Sequence, residues 1–361
     1  MAHIDIDLHL EQLQIDILTK MMVSVEHHLT ESNTLLDGTV MMPRKTARTC
    51  IVDTMIYALG RRDVEHIMSH SLIDGLHIDL NEVMLPYVQF YRGKHVSKIE
   101  DDEWDSSRAY GMIIKSFKTI RYEMSQLACC ERTSCVRRDS DGLTLTLRSV
   151  NNSRVRVSNH HIDVPSLVID RLNGLLELND VAGLLQDQDK LHLMYAVLNR
   201  YKLYLTRTNH CLSCDDVHER YPASLEMFAH PMNSHARRFC SAFPDIEIWF
   251  GSIGSAAHVT SRELIKHDVV VANPPYIGVV MTDMAKIIAR TVSECKRRGV
   301  KMKFIVTIPD WRSTDYPCWN ILSPLMTHVE VHDETYEYVD KITETRIAAS
   351  RLGTLILTIE T

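Results

Sequence analysis

Residues 267–276, HDVVVANPPY, constrain the fold of this chain more than any other stretch. Val269–Ala272 are four consecutive small apolar residues, three of them β-branched, which is typical of a parallel strand buried on both faces. Two prolines follow, and because proline has no N–H, they prevent further pairing and hold Asn273 extended. The sequence therefore predicts a buried strand that ends in a stiff turn, at the sheet edge where open α/β sheets bind ligands.

The same alternation of strands and helices runs through the second half of the chain. Apolar patterning predicts strands at 224–229, 247–250, 268–272, 303–308, 328–331 and 352–359, with helices at 235–242 and 281–297. Strands that alternate with helices indicate an α/β fold with a doubly wound sheet.

The first half has a different pattern. Apolar residues recur every three or four positions over 8–29, and similar stretches predict helices at 51–59, 113–127 and 165–178. Leu143, Leu145 and Leu147 alternate with polar residues, and Val155 and Val157 do so again after an Asn-Asn-Ser turn, which predicts a β-hairpin. We therefore predict a mostly α-helical domain with one β-hairpin over 1–189 and an α/β domain over 190–361.

Composition excludes several classes of protein. The chain is 45% hydrophobic and 24% charged, and its apolar runs are too short to predict a membrane span. Its acidic amino terminus does not resemble a secretory signal, and nine scattered cysteines do not form a disulfide framework in a chain of 361 residues. These features predict an intracellular globular protein.

The net charge of −7 means that any attraction to nucleic acid must be local. Residues 105–161 provide a candidate, since they hold ten basic residues against five acidic ones. The stretch is either an RNA-binding surface that includes Arg137 and Arg138 or an ordinary solvated surface.

Five ordered motifs resemble one known family. The tetrapeptide NPPY resembles the N-P-P-[YF] signature of S-adenosylmethionine-dependent methyltransferases that modify exocyclic amino groups. SLEMFAHPMN, FCSAFPD, FGS and FIVTIPDWR stand around it in a fixed order. Together, over about residues 214–361, they resemble the catalytic region of the phosphorylated-CTD-interacting factor family, the cap-specific adenosine N6-methyltransferases.

The resemblance implies a Rossmann-like methyltransferase domain, S-adenosyl-L-methionine as cofactor and capped RNA as partner, with the cap-adjacent 2'-O-methyladenosine of mRNA as substrate. It implies a nuclear enzyme, or a cytoplasmic one if the chain is viral. The chain departs from the family in three ways: no WW pattern surrounds its tryptophans, His230 replaces a serine, and Tyr276 replaces a phenylalanine. We therefore expect no WW-mediated docking on polymerase.

Site residues follow from the motifs. The catalytic candidates are Asn273, Pro274, Pro275 and Tyr276. The cofactor-binding candidates are Ala229, Pro231, Asn233, Asp245, Gly251, Ser252 and Asn273. The substrate-binding candidates are Tyr276, Trp311, Arg312, Arg137 and Arg138, although Arg312 could instead pair with Asp310 or Asp315.

Other interpretations remain open at the level of sequence. NPPY is shared with adenine N6-methyltransferases that act on DNA or internal RNA, and a catalytically silent RNA-binding subunit could keep the fold. His210, Cys211, Cys214 and His218 have a spacing that could hold zinc, but a single CxxC without a second pair is a weak signal. The sequence therefore predicts no metal.

Overall fold

The computed structural model describes residues 6–31, 119, 122, 131–151, 154–205, 212–312, 316–341, 345–348 and 353–361. These residues divide into two compact units: one lies within 1–166 and 185–208, and the other within 167–184 and 209–361. The helices expected at 51–59 and 113–127 lie almost entirely outside the described residues. None of the described helices is both long enough and apolar enough to cross a membrane.

The first unit contains helix α1 (Leu8–Glu31) and three antiparallel strands, β1 (Glu131–Arg138), β2 (Gly142–Asn151) and β3 (Arg154–Asp163). Asp7 begins α1, since its carboxylate accepts the N–H groups of His9 and Leu10. The helix buries one apolar stripe, Leu8, Ile15, Leu18, Met21, Met22 and Val25, as its periodicity predicts.

The prediction of a single hairpin in this unit was incomplete. β2 and β3 form the expected hairpin, but β1 adds a third strand beside β2. Its sequence, ERTSCVRR, has no apolar alternation, because Val136 is the strand's one fully buried side chain. A strand with one mostly exposed face and few buried residues gives no period-two signal.

Two further helices follow, α2 (Ser166–Leu178) and α3 (Asp187–Leu205). α2 confirms the helix expected after Pro165. Most of α2 belongs to the second unit, whereas α3 belongs to the first, where the Arg200 guanidinium forms a buried ion pair with Glu11.

The second unit is mixed α/β and is built on a five-stranded sheet. Its strands are β5 (Leu225–Glu226), β6 (Val269–Ala272), β7 (Lys303–Pro309), β8 (His328–His332) and β11 (Thr354–Glu360), in the spatial order β5-β6-β7-β11-β8. β5, β6 and β7 are parallel, and β11 is antiparallel to both of its neighbours.

Two isolated parallel bridges widen this sheet beyond β5. Phe239 pairs with Glu226 on one side and with Ser252 on the other. Numbered along the chain, the seven extended segments lie in the order 3-2-1-4-5-7-6. The direction of winding therefore reverses between β5 and β6.

Both faces of the sheet are covered. Val270 and Ala272 of β6 pack toward helix α7 (Gly278–Arg298) and helix α8 (Pro317–Leu322). Val271 points to the other face, into a second cluster with Cys214 and Tyr338. That face carries helix α4 (Asp215–Arg220) and a small antiparallel sheet of β4 (Leu212–Ser213), β9 (Glu337–Asp340) and β10 (Arg346–Ala348).

Two element predictions in this unit were wrong. Residues 235–242 were expected to be helical but are extended and irregular, because the main chain of Phe239 pairs on both sides. Residues 247–250 were expected to be a strand but complete helix α5 (Pro244–Glu247) and a 3₁₀ turn, Ile248–Phe250. Pro244 at the first helical position and the Glu247 carboxylate, which accepts the Phe243 N–H at 2.8 Å, favour a helix start there.

Candidate active site

The NPPY motif stands at the carboxyl end of β6, as its sequence predicts. Ala272 is the last paired residue, and the Ile277 N–H closes a tight turn on the Pro275 carbonyl at 2.7 Å. Helix α7 begins at Gly278, directly after this turn. Because the sheet reverses its winding between β5 and β6, Asn273 lies where open α/β sheets bind ligands.

The Asn273 side chain is oriented by the neighbouring small sheet. Its amide nitrogen lies 3.4 Å from the main-chain carbonyl of Leu212 in β4, as donor to that oxygen. The opposite orientation would place two acceptor oxygens against each other, so the hydrogen-bond pattern selects one rotamer of the amide. The Asn273 oxygen is therefore directed away from Leu212 and can accept hydrogens from a ligand.

Tyr276 has a partly buried ring and an internally bonded hydroxyl. This hydroxyl bonds that of Tyr338, which lies 2.9 Å from the Thr354 hydroxyl. The Tyr276 and Tyr338 rings meet edge to face at 6.3 Å, and burial holds the pKa of Tyr276 well above its usual range. Since the hydroxyl already has a partner, Tyr276 can meet a ligand only through its ring.

The residues after β5 form a compact loop beside Asn273. The Met227 N–H donates to Val271 at 2.9 Å, so the chain that follows runs alongside the end of β6. The His230 N–H then donates to the Asn233 side chain at 2.8 Å, and the Met232 N–H donates to the His230 ring at 3.1 Å. Ala229, Pro231 and Asn233 thus lie in one loop at the point of reversal, and we call residues 229–236 the switch loop.

A buried carboxylate, that of Glu226, holds the switch loop through two of its amides. Glu226, only 4% exposed, accepts the N–H groups of His235 and Ala236. Burial raises its pKa to about 7, although these two amide donors act in the opposite direction.

Two stacked imidazoles lie beside this carboxylate. The rings of His218 and His235 are parallel and 4.1 Å apart, and the His218 ring nitrogen is 3.5 Å from Glu226. Burial, with the nearby His235, lowers the pKa of His218 to about 3. His218 is therefore neutral at pH 7, and its contact with Glu226 is not an ion pair.

Of the remaining cofactor candidates, Ser252 pairs with Phe239 in the sheet, Gly251 precedes it and Asp245 lies in helix α5. Ser252 is buried, with its hydroxyl 2.7 Å from that of Ser241. Gly251 has φ +111°, and an added Cβ would lie 2.4 Å from the Arg237 carbonyl, so glycine is required there by a main-chain contact within the protein. Asp245 lies in the first turn of α5 and is partly exposed.

Trp311 and Arg312 follow β7 at this edge. Trp311 packs edge to face on Tyr316, with ring centroids 5.0 Å apart. Arg312 makes two parallel hydrogen bonds to Asp310, at 2.8 and 2.7 Å, so of the pairings left open by the sequence the structure contains the one with Asp310. This pair raises the pKa of Arg312 and lowers that of Asp310.

Arg137 and Arg138 are exposed on β1, which belongs to the first unit. Arg137 pairs with Asp139 at 2.9 Å. Of the basic stretch, Arg148 and Arg156 are exposed as well, whereas Arg132 is partly buried in an ion pair with Asp7. Most of residues 105–130 lie outside the described part of the chain.

For the sequence-derived zinc spacing, His210 and Cys211 lie outside the described residues. Cys214 is fully buried, and burial raises the pKa of its thiol. Among the described residues, one group has ligand atoms close enough to hold a metal ion: Asp141, His161 and Asp163, at an end of the sheet in the first unit.

Sequence reasoning missed several residues that shape this site. They are Arg171, Glu226 and His235 around the switch loop, and Leu212 and Tyr338 around the NPPY turn, whereas His218 was considered only as a zinc ligand. Glu226 carried a signal, since it is an acidic residue between apolar ones in SLEMF. The others act through contacts between residues far apart in the chain, which no local pattern records.

Comparison with known proteins agrees with the motifs. The family model described as the phosphorylated CTD interacting factor 1 WW domain matches residues 184–341, a span that includes β4 to β9 and the NPPY turn. This match confirms the resemblance seen in the sequence.

Two curated relatives are similar over a shorter span, and both are called mRNA (2'-O-methyladenosine-N(6)-)-methyltransferase. The mouse protein is 32% identical over 103 residues and the human protein 33% identical over 101 residues, each match covering 28% of this chain. The matches cover only 14% and 13% of the lengths of these relatives.

Proposed function

We propose that the chain methylates N6 of adenosine in RNA, because residues 184–341 match the family model described for phosphorylated CTD interacting factor 1. The proposed substrate is the cap-adjacent 2'-O-methyladenosine of mRNA, the nucleoside in the names of the two relatives. One observation carries the proposal: Asn273 stands at the reversal of the sheet with its amide oxygen directed away from Leu212.

The sheet order supports a Rossmann-like methyltransferase domain. The order 3-2-1-4-5 of the first five segments matches that of doubly wound nucleotide-binding sheets, and β11 is added as an antiparallel strand. In such sheets the ligand lies outside the carboxyl ends of the strands that flank the reversal. Here those strands are β5 and β6, which lead into the switch loop and the NPPY turn.

The chemistry requires acceptors for an amine. The N6 lone pair of adenine is delocalised into the ring, so the amine is a poor nucleophile until its two hydrogens are held. The Asn273 side-chain oxygen and the Pro274 carbonyl can accept them and stabilise the positive charge that develops on nitrogen. Holding the amine in line with the methyl donor supplies much of the remaining rate enhancement.

S-adenosylmethionine supplies the methyl group in this proposal. The residues fit it because the switch loop, with Ala229, Pro231 and Asn233, runs beside Asn273 at the reversal point. Asp245 lies in helix α5 and Ser252 pairs in the sheet directly after Gly251, and the Asp245 carboxylate can accept hydrogen bonds from the cofactor's hydroxyl or ammonium groups.

Two aromatic residues are proposed to receive the RNA. The Tyr276 ring can stack on the adenine, since its hydroxyl is bonded internally. Trp311, at the end of β7 on the same edge, offers a second aromatic surface. A terminal nucleotide has only one stacking neighbour, so presenting its base costs less than extruding one from a duplex.

The proposal is tested with labelled S-adenosylmethionine and four matched oligonucleotides: capped RNA with 2'-O-methyladenosine, the same RNA uncapped, RNA with an internal adenosine, and DNA. Nucleoside mass spectrometry should find N6-methyladenosine with the capped RNA, and the Asn273→Ala protein should form it about 10²- to 10³-fold more slowly. We expect discrimination against uncapped RNA mainly in KM, because the 7-methylguanine lies remote from the reacting amine.

Three outcomes would change the proposal. Equal kcat/KM on uncapped RNA or DNA would leave an adenine N6-methyltransferase without cap specificity. Activity of the Asn273→Ala protein within tenfold of wild type would remove Asn273 from the mechanism. RNA binding by a folded protein that forms no product on any oligonucleotide would favour a silent RNA-binding subunit.

A further inference from the structure

Arg171 connects helix α2 to the switch loop. The Arg171 guanidinium extends from the helix toward the loop. The helix buries its apolar face, which consists of Val168, Ile169, Leu172, Leu175 and Leu176. The Arg171 Nε donates to the Pro231 carbonyl at 3.0 Å, and a terminal nitrogen donates to the Ser234 carbonyl. Arg171 lies outside residues 184–341, the segment that matches the family model.

The loop is held by its carbonyls on one side and by its amides on the other. Arg171 donates to the carbonyls of Pro231 and Ser234, and the Glu226 carboxylate accepts the N–H groups of His235 and Ala236. The N–H groups of Met232, Asn233 and Ser234 bond to His230, to its ring or its carbonyl. Five consecutive amides of this loop therefore have acceptors within the protein.

The choice of arginine has a physical reason. A planar guanidinium presents donors in a fixed fork and can hold two carbonyls at a set separation, whereas lysine presents a single flexible ammonium. The described hydrogen bonds of Arg171 go to carbonyls. Burial lowers the pKa of Arg171, and the nearby negative charge of Glu226 acts in the opposite direction. Partly desolvating a cation whose hydrogen-bond acceptors are neutral carbonyls costs free energy.

We propose that Arg171 is a positioning residue for the cofactor: it fixes the carbonyls of Pro231 and Ser234, so that the switch loop is ordered before S-adenosylmethionine binds. This inference rests on the proposed function, which assigns the loop to the cofactor. A loop that is ordered before binding loses less conformational entropy when the cofactor binds, so this order raises the affinity for the cofactor. RNA affinity should be much less affected, because Arg171 contacts no proposed RNA-binding residue.

The test compares Arg171→Met, Arg171→Lys and Arg297→Met in the full chain. Methionine keeps the apolar stem and removes both donors, lysine restores the charge and one donor, and Arg297 is an exposed residue of α7 that pairs with Glu294. Hydrogen exchange of the loop amides measures its order without any ligand. Calorimetry with S-adenosylhomocysteine and the KM values for S-adenosylmethionine and RNA measure the consequence.

In the Arg171→Met protein we expect amides 232–236 to exchange at least tenfold faster, while the amides of α7 change less than twofold. The Kd for S-adenosylhomocysteine and the KM for S-adenosylmethionine should rise at least tenfold, and the KM for RNA should stay within threefold. Arg171→Lys should fall between Arg171→Met and wild type, and Arg297→Met should match wild type.

Unchanged protection of amides 232–236 overturns the positioning role. So does faster exchange spread evenly over the whole unit, because that pattern indicates general destabilisation. If Arg171→Met is unstable, Arg171→Lys alone must reproduce the selective change in loop exchange, or the proposal fails. If the loop loses protection as expected but wild type binds no S-adenosylhomocysteine, Arg171 still positions the loop and the proposed function is wrong.

Discussion

At Asn273 one hydrogen bond sets the direction of the functional group. The Asn273 amide donates to the Leu212 carbonyl, so its oxygen is available to a ligand. Asn273→Asp keeps the shape but removes the donor and places a carboxylate against a carbonyl oxygen. We therefore predict that Asn273→Asp lowers kcat as strongly as Asn273→Ala, by 10²- to 10³-fold, or about 3 kcal/mol of transition-state stabilisation.

The matched measurement is S-adenosylhomocysteine affinity, which should stay within a few fold in Asn273→Ala. If the Asn273→Asp protein retained activity within tenfold of wild type, accepting the amine hydrogens would be sufficient for catalysis, whatever the orientation of the side chain. That result would remove Leu212 from the description of the site.

His230 makes the stability of the second unit depend on pH. The Met232 N–H donates to its Nδ1, so the ring must be neutral to keep this bond. Burial, with the charge of Arg171, lowers the pKa of His230 from 6.5 to about 3. Because the folded pKa is depressed, the unfolded chain takes up a proton below pH 6.5 while the folded chain does not. Stability is therefore full above pH 6.5 and falls as the pH drops toward 3.

From these values, acidification from pH 7 to pH 5 should cost wild type about 2 kcal/mol of unfolding free energy through His230 alone. The His230→Ser protein should lose about 2 kcal/mol less unfolding free energy over this range, because serine has no group that titrates there. The serine hydroxyl can still accept the Met232 N–H in the turn. Denaturant unfolding at both pH values measures the difference, with His328→Ser on the exposed part of β8 as control. If wild type and His230→Ser lose equal stability, the buried ring is not the source of the pH dependence.

Among the elements, those with a regular period and a covered face could be predicted from the sequence. Strand β6 and helix α7 were expected within a few residues of their observed bounds, since four consecutive apolar residues and a long apolar stripe mark them. The helix assigned to 235–242 and the strand assigned to 247–250 were both wrong. The conformation of this stretch depends on Phe239 pairing with residues before and after it, and on two amides that donate to the Glu226 carboxylate. Such contacts override local propensity.

The NPPY turn and strand β9 are coupled through two hydroxyls. Tyr276→Phe removes one of them, yet Tyr338 keeps its bond to Thr354 and the ring face survives. We predict that Tyr276→Phe stays within threefold of wild-type kcat/KM, whereas Tyr276→Ala loses at least tenfold, since base stacking contributes about 1 to 3 kcal/mol. Initial rates on capped RNA measure both.

A double-mutant cycle with Tyr338→Phe isolates the coupling. We expect a coupling free energy of about 1 kcal/mol between the two hydroxyls, measured from the unfolding free energies of the four proteins. If Tyr276→Phe proved as inactive as Tyr276→Ala, the hydroxyl would have a chemical role, contrary to its internal bonding.

For the molecule as a whole, the motifs located the NPPY turn, the loop after β5 and the end of β7 at one sheet edge, as the topology has them. What holds these residues comes from distant parts of the chain: Arg171 is separated by 60 residues from Pro231, and Leu212 by 61 from Asn273. A single sequence records which residues a site uses more readily than which residues orient them, because the second group acts through contacts that only the fold creates.

The net charge of −7 predicts that RNA binding depends on a local surface, and the exposed arginines of the three-stranded sheet are the candidate. Arg137, Arg148 and Arg156 are all exposed, Arg137 and Arg148 on one face of the sheet and Arg156 on the other, although Asp139 offsets part of the charge of Arg137. Each phosphate contact on a single strand contributes a slope of roughly −0.7 to log K against log salt. Changing all three arginines to Gln should therefore flatten the slope by up to about 2.

The matched control changes Lys296, Arg297 and Arg298 of helix α7 to Gln, which alters the net charge by the same amount in the other unit. Only contacted phosphates release counterions, so this control should shift affinity slightly and leave the slope unchanged. Fluorescence anisotropy of a capped RNA, titrated at several salt concentrations, distinguishes the two sets. Equal slopes for wild type and the sheet variant would mean that RNA binds elsewhere, because an acidic chain attracts phosphate only where basic groups touch it.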